Sequence, residues 1–459
     1  MASRRRPSRT SKSPRRPSLR RTAKKIFRAA VDSVRADRVI PDLLALEKTS
    51  RGERLQCGRR RFPLRPGGRL IVVGAGKASA LMAKAAERRL GRRIYGGTVV
   101  TQTGHAIPSK RLDIVEASHP VPDAAGLEAA RQIGDWVDNA GDEDLVLFLL
   151  SGGGSALLPA PAENISLEDK RTVTDRLLKA GAPIDALNCV RKHLSSLKGG
   201  HLARRAAPAR VVTLAISDVV GDRLDVIASG PACGDPTTFD DARGFMQRYG
   251  AWEDAPASVR RHIERGAEGK IPETPDPSDP VFERVHHLIA ANNETALRAA
   301  SDAARSLGFR PLILTRRLQG EAREIGVFLA GVAAEIRLDG RPIRPPACLL
   351  MGGEPTVTVR GSGLGGRCQE LAMSFSASLT GAGEVCLLAA GTDGKDGPTP
   401  AAGAIVDEKT VELLQKQSID PTPFLRENRS YEFIGRFGEL IPAGPTGTNV
   451  MDIIALLVP

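Results

Sequence analysis

Lys77 follows Gly74-Ala-Gly76 where a short apolar run, Arg69-Leu-Ile-Val-Val73, gives way to a helical pattern over residues 78–90. Backbone N–H groups at such a turn, added to the positive end of the helix dipole, favour an anion, and the lysine contributes a point charge. The plain alternative is a tight turn carrying a solvated lysine. Two familiar motifs do not fit. A Walker A loop would need its first glycine at Ile71 and a Ser or Thr at Ala78. The dinucleotide fingerprint would need glycine at Ser79, and no acid ends the next apparent strand, Thr98-Val-Val100, to hold a ribose.

The same arrangement recurs along the chain. Ser151-Gly152-Gly153-Gly154-Ser155 follows Leu145-Val-Leu-Phe-Leu-Leu150, and three adjacent glycines let a ligand approach the backbone closely. Ala215-Ile-Ser-Asp218-Val-Val-Gly-Asp222 sets two carboxylates just past another apolar run. Asp218 suits proton acceptance from a substrate hydroxyl or a share in metal binding, although both acids also suit an Asx turn or helix cap. Gly352-Gly353-Glu354 and then Gly361-Ser-Gly-Leu-Gly-Gly366 lead to Arg367, whose planar fork can take two oxygens of a phosphate or carboxylate. Gly391-Thr-Asp393-Gly-Lys-Asp396-Gly supplies two carboxylates as metal candidates, since Mg²⁺ takes few carboxylates beside phosphate oxygens and water. Arg191-Lys192-His193 and Lys198-Gly-Gly200 form a basic stretch that reads either as a binder of an acidic substrate or as a solvated helix face. His119 in His119-Pro-Val-Pro122 is equally open, because the prolines only specify an extended loop.

Anion cradles, a lysine, an arginine and strand-end carboxylates suit phosphoryl transfer, which needs positioning and charge neutralisation more than covalent chemistry. The sequence has no Cys/His metal cluster, and Gly152-Gly-Gly-Ser155 lacks the G-x-S-x-G elbow.

The elements that must position these residues are visible in the apolar runs. Val211-Val-Thr-Leu-Ala-Ile216, Leu288-Ile-Ala-Ala291, Cys348-Leu-Leu-Met351 and Val385-Cys-Leu-Leu-Ala-Ala390 join those above, each ending in polar or glycine residues. Continuous apolar runs alternating with helical patterns specify parallel strands covered on both faces, an α/β architecture. Ligands of such sheets bind beyond the carboxyl ends of the strands. A lead-in helix is expected from about residue 23 to 46. Residues 271–280 carry four prolines in ten and read as a linker. The expected organisation is a disordered basic tail over 1–22, an N-terminal domain over 23–270, a linker over 271–284 and a C-terminal α/β region over 285–459, with a distinct module from about 346.

The formal charge of +13 belongs mostly to the tail, because residues 1–28 hold twelve Lys or Arg and no acid. That leaves the body nearly neutral. Rich in Arg, Ser and Pro, the tail reads as a solvated arm, a non-specific polyanion contact or a targeting segment. Two Trp and three Tyr make no aromatic platform for single-stranded nucleic acid, so no specific nucleic-acid partner is expected. Six scattered cysteines without a CxxC pair fit a reducing compartment, and a cytoplasmic location is expected. The longest apolar run is far short of the roughly 18 residues that cross a bilayer, so no membrane partner is expected. Oligomeric state stays open, a homodimer being one option.

In order and spacing, Gly74-Ala-Gly-Lys-Ala78, His119-Pro-Val-Pro-Asp123, Ser151-Gly-Gly-Gly-Ser155, Asn188-Cys-Val-Arg-Lys-His193 and Ile216-Ser-Asp-Val-Val-Gly-Asp222 resemble the glycerate 2-kinase family. So do Ile227-Ala-Ser-Gly-Pro231, Gly352-Gly-Glu354, Gly391-Thr-Asp-Gly394 and Thr446-Gly-Thr-Asn449, and the last third resembles that family's MOFRL module. The resemblance covers about residues 23–459. It implies a larger Rossmann-like domain with a parallel sheet, a smaller α/β domain and an active site in the cleft between them. It also implies a small hydroxy acid as partner: the ATP γ-phosphoryl passes to the 2-hydroxyl of D-glycerate, with Mg²⁺, giving 2-phosphoglycerate. Lys77, Asp218 and Arg367 are then the catalytic candidates, the two cations neutralising phosphoryl charge and Asp218 orienting or deprotonating the hydroxyl. Gly74, Gly76, Ser151 through Ser155, Arg191, Lys192, Glu354 and Asn449 become nucleotide- or substrate-binding candidates, and Asp393 and Asp396 metal candidates. Two departures bear on substrate identity: Cys368 follows Arg367 where the family usually has Asn, and Met451 stands where a second Asn is usual. The rival reading is an NAD(P)H-dependent hydroxypyruvate reductase, a label members of the family have carried; the broken fingerprint around Gly74 opposes it.

Overall fold

The computed structural model describes residues 18–50, 52–379 and 383–459. Its largest sheet has seven strands, all paired in parallel. The path across it runs Val285–Ala291, Arg210–Ile216, Leu145–Leu150, Leu70–Ala75, Thr98–Gln102 and Asp113–Ala117, with Ile94–Gly96 also against Leu70–Ala75. Leu70–Ala75 and Leu145–Leu150 are buried at every position, as unbroken apolar runs require when helices cover both faces. Each such Leu, Ile or Val contributes about 1.5–3 kcal/mol through burial.

The second sheet corrects the expected strand direction. Ala347–Gly353 runs parallel to Arg310–Leu318, but Asp452–Val458 lies antiparallel to both Ala347–Gly353 and Cys386–Gly391. Ala401–Asp407 and Glu439–Pro442 continue the sheet antiparallel. A strand buried on both faces is a continuous apolar run in either direction, so periodicity carries no sign of its direction. The reversal has a consequence for the site. The start of the last strand lies level with the carboxyl ends of its neighbours, and Asp452 is in register with both Gly353 and Gly391.

Two boundaries also move. The proline-rich segment 271–284 does not separate the sheets, because the strand after it, Val285–Ala291, pairs with Arg210–Ile216 at the edge of the parallel sheet. The expected helix over 23–46 divides into Leu19–Ser33 and Ala36–Leu43, then becomes the strand Leu44–Thr49 of a small antiparallel sheet with Gly52–Cys57 and Arg60–Leu64. Of the expected tail, residues 1–17 lie outside the described residues, whereas residues 19–22 are already helical. That first helix shares a core with the second sheet, placing Ile26 and Ala30 among Leu297, Ala300, Cys386 and Leu388. Arg20 grips Asp407, and Lys24 pairs with Glu439. Among the described residues, no helix is long and apolar enough to cross a membrane.

Candidate active site

The turns after two adjacent parallel strands are tied to each other. Lys77 N–H donates to the Gly152 carbonyl at 2.9 Å, and Ala78 N–H donates to Ser151 Oγ at 3.0 Å. Gly76 has a φ of +139°, and a Cβ there would stand 2.2 Å from Ser151 Oγ. A Cβ on Gly152 would fall 1.8 Å from Asp218 Oδ2, so glycine is required there by the protein's own carboxylate. The Ser151 hydroxyl is fully buried and holds the Lys77 turn, so it is a strut within the loop. Gly74 serves packing: a Cβ on it would stand 2.7 Å from the Leu149 carbonyl of the next strand. Ser155 meets Ser229 at 2.8 Å, and Ser229 donates to Asn188 at 3.0 Å.

Three charged candidates converge through short chains of contact. Lys77 Nζ donates to Asp393 Oδ2 at 3.1 Å. The Lys77 side chain also flanks Gly153, beside the His119 ring, while Asp218 flanks Gly152. Asp218 accepts from Asn449 Nδ2 at 2.9 Å, a contact between the two sheets' strand ends. Arg367 opens the helix Arg367–Ser378 and places Nε and Nη2 on the two oxygens of Asp452, at 2.6 and 2.9 Å, with Nη1 on Glu354 at 2.7 Å. Asp393 and Asp452 both stand against Gly391, where a Cβ would lie 3.2 and 3.4 Å from them. Lys77, Asp218 and Arg367 therefore meet at one edge.

The electrostatics of this edge are unusual. Burial, with Glu354 nearby, pushes the Asp218 carboxyl up to about 7, although Lys77 opposes the shift. Burial next to Lys77 and Lys395 lowers His119 to about 4, which keeps its ring neutral. Arg367 is held above its ordinary value by Asp452 and Glu354 despite its burial. A cleft of about 1580 Å³ opens here, lined by His119, Gly153, Asp218, Glu354, Arg367 and Arg191 among others.

Other candidates are directed elsewhere. Lys192 is buried and pairs with buried Asp235 at 3.2 Å, so it faces away from the cleft. Asp222, at a φ of +58°, accepts from Asn292 and Arg316 at 2.8 Å each and pins its loop to the second sheet. Asp396 accepts from Cys368 N–H at 3.1 Å and from Gln369 N–H at 2.9 Å. It caps the helix that carries Arg367, leaving both its oxygens engaged. Cys368 and Met451 are themselves buried. Two residues are not singled out by the sequence. Asp452 is concealed because it begins a reversed strand, and Lys170 looks like an isolated helix charge. Lys198 of the expected basic stretch lines the cleft and is buried.

A Rossmann-like parallel sheet facing a mixed sheet, with a cleft of basic and acidic side chains at their strand ends, defines a two-domain α/β protein. Residues 22–264 match a family described as a domain of unknown function, DUF4147, and residues 347–452 match the MOFRL family. A glycerate 2-kinase of Pyrococcus horikoshii is 44% identical over 392 residues, 85% of this chain and 88% of that protein. A D-glycerate 2-kinase of Thermotoga maritima is 43% identical over 442 residues, 96% of this chain and 99% of that protein. The crystal structure of a glycerate kinase from Thermotoga maritima superposes with a TM-score of 0.83 at 41% identity, over 96% of this chain and 99% of that one. The chain belongs to the glycerate 2-kinase family.

Proposed function

We propose that this protein is an ATP-dependent glycerate 2-kinase that phosphorylates the 2-hydroxyl of D-glycerate. The observation that carries the reading is the placement of Asp218 and Lys77 on adjacent glycines of one loop, with Arg367 across the same strand-end edge. Asp218, poised near neutrality, accepts the proton of the attacking hydroxyl. Lys77 and Arg367 neutralise the charge of the transferring phosphoryl group, and the pairing of Arg367 with Asp452 fixes its fork before the substrate arrives. Among the described residues, no group of three or more His, Cys, Asp or Glu is placed to hold a metal. That fits an Mg²⁺ carried mainly by nucleotide phosphates and water, which needs few protein carboxylates. Asp393 is the carboxylate suited to it, at the strand end beside Lys77, whereas Asp396 is committed to its helix. Bound Mg²⁺ would offset phosphate charge.

The relatives leave one other reading to test, since an Agrobacterium vitis protein 46% identical over 399 residues carries a provisional hydroxypyruvate reductase name. The purified chain given D-glycerate and MgATP is expected to release ADP and 2-phosphoglycerate, detected by enolase coupling without a mutase. Oxidation of NAD(P)H with hydroxypyruvate, and no ADP from glycerate, would overturn the proposal.

A further inference from the structure

One wall of the cleft holds three cations with no acid among them. Lys170 and Lys198 are 6% and 1% exposed, and Arg191 stands beside them on the helix Ile184–His193. Lys170 Nζ donates to the carbonyls of Pro159 and Leu194 at 2.9 Å each, and to that of Arg191 at 3.4 Å. Lys198 Nζ donates to the Leu158 carbonyl. Among the described residues, none of the three forms an ion pair, and Glu168, Asp175 and Asp185, which line the same cleft, are taken by Arg171, Lys179 and Arg223. Buried cations are normally paired, because desolvation of an unpaired charge is expensive. Burial first, then repulsion from Lys198 and Arg191, lowers Lys170, and burial with Arg191 nearby brings Lys198 down to about 7. Backbone carbonyls hold the two lysine head groups in place, and an anion beside them would offset the burial and repulsion that drive their protons off. Such a wall is completed by an anion from outside.

The place of that anion follows from the loop that joins the wall to Asp218. Gly152 and Gly153 touch Asp218 and Lys77, while Leu158 and Pro159 touch the two lysines. Only the short helix Gly154–Leu157 intervenes, about 6 Å along its axis. A triphosphate already has Lys77 and Arg367, so this second cationic wall of the same cleft is left for the anionic group of the acceptor.

Resting on the kinase reading above, we infer that Arg191, backed by Lys198 and Lys170, binds the carboxylate of the acceptor and selects short 2-hydroxycarboxylates. The test uses the full chain and the variants Arg191→Gln and Arg191→Lys. Arg191→Gln should raise KM for D-glycerate roughly 10- to 100-fold, the size of a lost charge-assisted contact, with KM for ATP little changed. Arg191→Lys should recover part of the loss. Calorimetric binding of D-glycerate to wild type and to Arg191→Gln reads the same contact without turnover. A rise confined to KM for ATP, equal binding by both proteins, or no binding by wild type would overturn the inference. Wild-type binding without ADP release would instead sink the kinase reading and leave the carboxylate site standing.

Discussion

Asn449 donates to Oδ2 of Asp218 across 2.9 Å, linking the loop before the last strand of the mixed sheet to a strand end of the parallel sheet. An amide donor favours the ionised carboxylate, so this contact works against the burial that raises Asp218 to about 7. In Asn449→Ala that donor is gone. Asp218 should then titrate higher, and the acid limb of kcat/KM should move to higher pH. A pH–rate profile across neutrality checks this, and an unmoved limb contradicts it.

Replacing Asp218 itself should separate activity from stability. Its folded pKa of about 7 lies above the ordinary 3.8, so the folded chain binds this proton more tightly than the unfolded one. The stabilisation is full below the ordinary value and is lost as pH rises through about 7. Asp218→Asn removes the penalty of the buried charge, so it should melt higher than wild type above pH 7. Turnover should nonetheless fall roughly 100-fold or more. Melting curves and kcat from the same preparations test both halves.

Much of this edge was legible in the sequence because glycines and charges cluster where apolar runs stop. Lys77, Asp218 and Arg367 were found that way. What the runs do not encode is strand direction, and that concealed Asp452, whose strand enters from the opposite end. Nor does spacing say where a polar side chain points. Ser151, Lys192 and Asp396 sit at promising positions, yet a backbone N–H, a buried acid and a helix terminus claim them. Lys170 is concealed for a related reason: a lone lysine in sequence shows neither its burial nor its lack of an acid partner.

The two acids that hold Arg367 should not be equivalent. Asp452 is 1% exposed and takes two of its hydrogen bonds, whereas Glu354 is 47% exposed and takes one. Asp452→Ala should lower kcat/KM about tenfold or more by freeing the guanidinium, and should lower Tm as well. Glu354→Gln should do less in both measurements. The reverse order would mean that Glu354 positions the arginine.

Truncations at the N-terminus should show a sharp boundary. Removing residues 1–17 deletes none of the contacts described above. Removing 1–22 takes away Arg20 and its grip on Asp407, together with buried Thr22. The longer truncation should melt about 1–2 °C below the shorter one, as a loss of about 1–2 kcal/mol produces in a chain of this size. Differential scanning calorimetry of the two truncations decides it.

Asp393 and Asp396 stand three residues apart and should fail in different ways. Asp393 faces Lys77 from a partly exposed strand end, so Asp393→Asn should raise the Mg²⁺ concentration needed for half-maximal rate while leaving Tm nearly unchanged. Asp396 is buried at the start of the Arg367 helix, where it accepts two backbone N–H groups and the Gln369 amide. Asp396→Ala leaves those donors without an acceptor and should cost about 1–2 kcal/mol, with the Mg²⁺ requirement unaltered. Because burial raises Asp396 to about 6, what its proton contributes to wild-type stability is present below 3.8 and lost as pH rises through about 6. The Tm gap between wild type and Asp396→Ala should therefore narrow from acid to neutral pH. A Mg²⁺ titration that shifts for Asp396→Ala but not for Asp393→Asn would reverse the two assignments.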